Sequence, residues 1–93
     1  MLAMNYRGPY RVRADQMPYR EILLPSDAIV RVTRLCICGS DLHLYHGLVP
    51  DTRVGSTFGH EFIGIVEDID SGVEKLKVDD HVIVPFNIAC GKC

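Results

Sequence analysis

The chain has 93 residues, 47% of them hydrophobic and 24% charged, with a net charge of −2. That balance excludes a disordered or fibrous chain and describes one small compact domain, one that buries only about 60% of its unfolded surface. The lysines and arginines are dispersed without a basic patch, which excludes nucleic acid as a partner, and no apolar run approaches the roughly 18 residues that a membrane span requires.

Short β-rich segments follow one another at residues 1–6, 12–17, 28–37, 61–70 and 81–84. Gly8-Pro9, Pro25-Ser26-Asp27 and Ser71-Gly72 separate them as turns. Ile29, Val30 and Val32 give the third segment a β-branched character suited to a pleated surface, and Phe62, Ile63, Ile65, Val66 and Ile69 do the same for the fourth. Several short strands with no long amphipathic helix predict a mainly β fold, a barrel or a sandwich. One helix is expected over residues 41–46, with Ser40 capping its start and Gly47 ending it. Residues 47–58 read as a loop, and no repeat, linker or interior domain boundary is seen.

The chemistry concentrates in two places. Cys38, Gly39, Ser40, Asp41, Leu42 and His43 form one, and Gly59, His60 and Glu61 the other. Thiolate, imidazole and carboxylate are the donors that Zn²⁺ accepts, and a catalytic zinc takes three protein ligands and keeps a position open. The glycines fit this, since two distant segments closing on one metal must turn sharply without Cβ clashes. Without a signal peptide the expected compartment is the cytoplasm, where four cysteines favour metal binding over disulfides. Cys36, His46 and His81 carry no such pattern: Cys36 is expected to pack within the third strand, and the two histidines to serve surface or core.

The two stretches resemble the zinc-dependent medium-chain alcohol dehydrogenase superfamily, whose pattern is Cys-Gly-x-Asp-x-His and, later, Gly-His-Glu-x-x-Gly-x-Val. Gly64 and Val66 complete the second half. The wording CGSDLHLYHG from Cys38 to Gly47 and VPFNIACGKC from Val84 to Cys93 is most similar to its formaldehyde-dehydrogenase-like branch. The resemblance implies a GroES-like, partly open β-barrel with one short helix, spanning residues 1–93 as a truncated N-terminal domain. Cys38, His60 and Glu61 are then catalytic zinc ligands, and Asp41 orients His60 by accepting its second ring N–H. Ser40 and His43 relay the substrate's proton outward. Cys90 and Cys93 open a run of four cysteines that holds a structural zinc, and here they are half of it.

The parent enzyme so implied moves a hydride between a small alcohol, or an aldehyde adduct, and NAD or NADP, and works as a homo-oligomer. No Gly-x-Gly-x-x-Gly follows a strand, so the Rossmann cofactor domain is absent and the segment alone is expected to be inactive. The family's usual glycine before the last strand is Asp79 here, and aspartate is among the few residues that tolerate positive φ. Two other readings stay open: a stand-alone GroES-like co-chaperonin subunit, which has no need of Cys38, His60 and Glu61, and a small metal or redox module built on Cys90 and Cys93.

Overall fold

The computed structural model describes residues 1–90. Its elements, in chain order, are β1 (Leu2–Gly8), β2 (Arg11–Gln16), β3 (Ala28–Leu35), α1 (Gly39–Tyr45), β4 (Phe62–Ile69) and β5 (His81–Val84). The fold is mainly β with open antiparallel sheets and one short helix, as the spacing of β-branched runs and turn residues predicts. No helix among the described residues is long and apolar enough to cross a membrane. The third strand is shorter than expected. Leu35 pairs with Phe62, where β4 begins, so Cys36 has no ladder partner; it is exposed rather than packed in a strand.

The chain forms two compact units, the first made of Met1–Glu21 and Cys36–Gly59. In it β1 and β2 form a hairpin running from Leu2 opposite Gln16 to Gly8 opposite Arg11. The hairpin tip places Tyr10 at φ 60°, a costly conformation for a bulky residue. What holds it there is visible: the Tyr10 N–H donates to the Tyr45 carbonyl at 2.7 Å, and its ring meets that of Tyr45 edge-on at 5.5 Å. The other edge of β1 is also covered. Tyr6 N–H donates to Ser56 O, Gly55 N–H to Tyr6 O and Phe58 N–H to Met4 O, each at 2.8 Å. Residues 55–58, expected as plain loop, thus run along β1, and the buried Tyr6 ring lies 6.2 Å from that of Phe58.

Asp15 on β2 accepts from the side chains of Arg13, Asn5 and Arg7. Those donors, Arg13 first, hold its carboxyl well below the usual range, at about 2, against a smaller opposing effect of burial. With the folded value below the unfolded one, the carboxylate stabilises the fold above about pH 4 and loses that contribution as pH falls towards 2. Thermal melts of Asp15→Asn against the parent protein are therefore expected to show a gap at pH 7 that narrows below pH 4 and closes near pH 2.

The second unit comprises, among the described residues, Ile22–Leu35 and residues 60–90. Its sheet has the order β3-β4-β5, all antiparallel, with β4 central and Val66 fully buried. Beyond β5's ladder, Val66 N–H donates to Asp80 O at 2.9 Å and Asp79 N–H to Val66 O at 2.8 Å, so the turn before β5 docks on β4. Asp79 takes φ 75° there, the positive value anticipated where the family usually has glycine. Left-handed backbone costs a residue with a Cβ about 1–2 kcal/mol, less for aspartate. Asp79→Gly is expected to leave stability unchanged or raise it by up to ~1 kcal/mol in denaturant titrations, and Asp79→Val to lower it by about 1–2 kcal/mol.

Candidate metal centre

Cys38 is the N-cap of α1, in an extended conformation with φ −114° and ψ 178°. The sequence places the helix start at Asp41 with Ser40 as cap; instead the helix begins at Gly39, and Ser40 is exposed within its first turn. The reason is Asp41. At the third helical position its Oδ2 accepts the Cys38 backbone N–H at 2.9 Å, satisfying the donor at the helix entry. At the other end Gly47 has φ 73° and its N–H donates to Leu44 O at 3.0 Å, closing the helix where expected.

Asp41 is 5% exposed, and its second oxygen, Oδ1, accepts the Gly59 N–H at 3.4 Å. One carboxylate therefore receives an N–H from each of the two motif stretches. Gly59 sits at φ 98°, which side-chain-bearing residues rarely adopt, so the backbone needs glycine there. Gly39 has no such need, since an added Cβ would meet nothing within 4 Å.

His60 follows Gly59 by one peptide bond and is half-buried, its ring 6.5 Å from that of Phe86 in an edge-on arrangement. The ligand atoms of Cys38, Asp41 and His60 all lie within 4.8 Å of one another. Around a tetrahedral zinc, donor atoms stand ~3.5 Å apart given metal–ligand bonds of about 2.0–2.3 Å. The bound of 4.8 Å on the trio is wider than that, so a zinc shell would draw the donors closer, and a thiol, an imidazole and a carboxylate are a donor set that suits zinc.

The other candidates are less gathered. Glu61 stands outside this trio, partly exposed, in the residue before β4. Ser40 and His43 lie three apart on α1, both exposed. Cys90 is exposed, and Cys93 lies outside the described residues. Sequence reasoning missed Asn5 and Thr57, whose side chains join β1 to the stretch that leads into Gly59. A lone asparagine in a strand and a threonine in a short loop carry no periodic signal.

Residues 24–93 match the family model described as the alcohol dehydrogenase GroES-like domain. The chain belongs to that family. As a GroES-like domain it is 50% identical, over its full length, to an uncharacterised zinc-type alcohol dehydrogenase-like protein of Bacillus subtilis, of which it spans 25%. It is 40% identical to the glutathione-independent formaldehyde dehydrogenase of Pseudomonas aeruginosa, with 95% of this chain and 23% of that protein covered. The solved alcohol dehydrogenase TADH of Thermus sp. ATN1 superposes with a TM-score of 0.93 at 45% identity, covering all of this chain and 27% of that one. The chain thus spans about a quarter of the length of these relatives. Among the sequence-based readings, the alcohol dehydrogenase resemblance is the one this family membership bears out, the formaldehyde-dehydrogenase-like branch being represented among its relatives.

Proposed function

We propose that this GroES-like domain is the N-terminal catalytic segment of a zinc-dependent dehydrogenase that moves a hydride between a small alcohol, or an aldehyde adduct, and NAD or NADP. The observation that carries the reading is the convergence of Cys38, Asp41 and His60 within 4.8 Å. Cys38 and His60 would hold the zinc, and Glu61, one residue from His60, would be a further donor that can give way to a ligand. When bound, the metal supplies a Lewis acid that lowers the pKa of an alcohol hydroxyl.

This chain's own side chains do the rest. Asp41 anchors both stretches through the N–H groups of Cys38 and Gly59, and an additional lone pair can accept a ring N–H of His60 and fix its tautomer. Ser40 and His43, three apart on α1 and exposed, suit a path that carries a proton from the site to solvent. Cys90 and Cys93 would contribute to a separate structural zinc. The nicotinamide cofactor would be held by a dinucleotide-binding domain in the longer protein, a cytoplasmic homo-oligomer.

Zinc content and activity of the whole protein test this together. Cys38→Ala is expected to lower zinc by one equivalent per chain and to abolish NAD(P)-dependent oxidation of short alcohols. Zinc content unchanged by Cys38→Ala, or activity that survives chelation, would remove the reading.

A further inference from the structure

We infer that Asn5 is a positioning residue for the Cys38, Asp41 and His60 trio, acting through Thr57 and Gly59; the inference rests on the metal reading above. Asn5 is 1% exposed, and a buried amide is tolerated only when its hydrogen bonds are made. Its Nδ2 donates to Asp15 Oδ2 at 3.0 Å and approaches Met17 Sδ at 3.3 Å, and its Oδ1 accepts the Thr57 hydroxyl at 2.8 Å. The orientation of the amide is settled by chemistry. An ionised carboxylate only accepts, so the NH₂ must face Asp15 and the oxygen must face Thr57.

That pairing selects a register. The backbone bonds between β1 and residues 55–58 are sequence-blind, and a slip by two residues would preserve their pattern. Such a slip would displace Gly59 by ~6.6 Å along the strand, and its N–H would leave the Asp41 carboxylate. The Asn5–Thr57 side-chain bond makes one register better than the next, beside the apolar contact of the buried Tyr6 ring with Phe58, and it is the hydrogen-bonded part of that choice. Thr57 lies two residues before Gly59, and His60 follows it directly, so the register at Asn5 sets where the imidazole begins. Apolar residues at 5 and 57 would fill the same space without choosing.

The test is a Co²⁺ titration of the whole protein, reading the thiolate-to-cobalt charge-transfer band, beside amide hydrogen exchange at Gly59 in the metal-free protein. Asn5→Ala and Thr57→Val are each expected to weaken Co²⁺ affinity about tenfold or more, the range seen for groups that orient metal ligands. The double variant should be no weaker than the weaker single one, and Thr57→Ser should restore the parent affinity. Val66→Ala, a cavity on β4 that leaves the Asn5–Thr57 bond in place, is expected to lower thermal stability while leaving affinity within about twofold. Gly59 exchange should quicken in Asn5→Ala and Thr57→Val but not in Thr57→Ser. Affinity unchanged in folded Asn5→Ala, or lost equally in Val66→Ala, would overturn the inference. If the parent protein shows no cobalt band, the metal reading fails on its own. Gly59 exchange then decides the positioning claim, which is sustained if Asn5→Ala quickens it and overturned if not.

Discussion

Gly64→Val is expected to unfold the β3-β4-β5 sheet. A Cβ at Gly64 would stand 2.5 Å from the Arg31 carbonyl oxygen and 2.6 Å from Val30 Cγ1. The first of these is backbone, so relief requires separating β4 from β3 along their central ladder, where Val32 pairs with Gly64. Overpacking of this kind costs about 1–3 kcal/mol for a single added group where neighbours can move, and more where they cannot. A small domain has ~5 kcal/mol to lose. Gly64→Ala should lower stability by about 2–4 kcal/mol and Gly64→Val should leave most of the protein unfolded, read by far-ultraviolet circular dichroism and thermal melts. Gly39→Ala is the control, since its Cβ enters open space at the first turn of a helix and should cost nothing. A cooperative melt for Gly64→Val within a few degrees of the parent would show that β3 and β4 can part without penalty.

The two glycines illustrate what a sequence can and cannot say. Both belong to the motif, yet one sits where two backbones touch and the other where nothing approaches, a difference of neighbours rather than of residue type. The strands were legible because β-branched runs bounded by Gly, Pro, Ser and Asp have a local cause, and the last, at His81–Val84, needed no adjustment. Positive φ at Asp79 was legible for the same reason. The helix start was not. Ser40 is a good cap in isolation, but Asp41 at the third position answers the Cys38 N–H, moving the boundary to Gly39. The pairing of residues 55–58 with β1 was hidden because it joins positions some fifty residues apart through a segment too short to show alternation. The donor chemistry of Cys38 and His60 was legible from residue type, whereas the part Asp41 plays in joining their stretches emerged only from its two accepted N–H bonds.

Asp41→Asn should be nearly as damaging as Asp41→Ala, although it preserves size and shape. Two backbone donors, the N–H groups of Cys38 and Gly59, converge on the two oxygens of this buried side chain. Asparagine offers one oxygen and one NH₂, so in either orientation a donor faces a donor and one N–H is left unmet. Leaving a buried group without its partner costs about 1–3 kcal/mol, and Asp41→Ala, which leaves both, about 2–4 kcal/mol. Under the proposed zinc reading the larger effect falls on metal affinity. Because the same carboxylate ties the Cys38 stretch to the Gly59 stretch, releasing either one lets the thiol and the imidazole drift apart. Zinc affinity is expected to fall about 10–100-fold in Asp41→Asn, measured by competition with a chromophoric chelator. Asp41→Glu keeps both acceptors but pushes them out by one methylene, and should fall between the parent and Asp41→Asn. If Asp41→Asn lost stability yet bound zinc within threefold of the parent, Asp41 would be a helix-entry carboxylate alone, and the closeness of Cys38 to His60 would have to come from elsewhere in the fold.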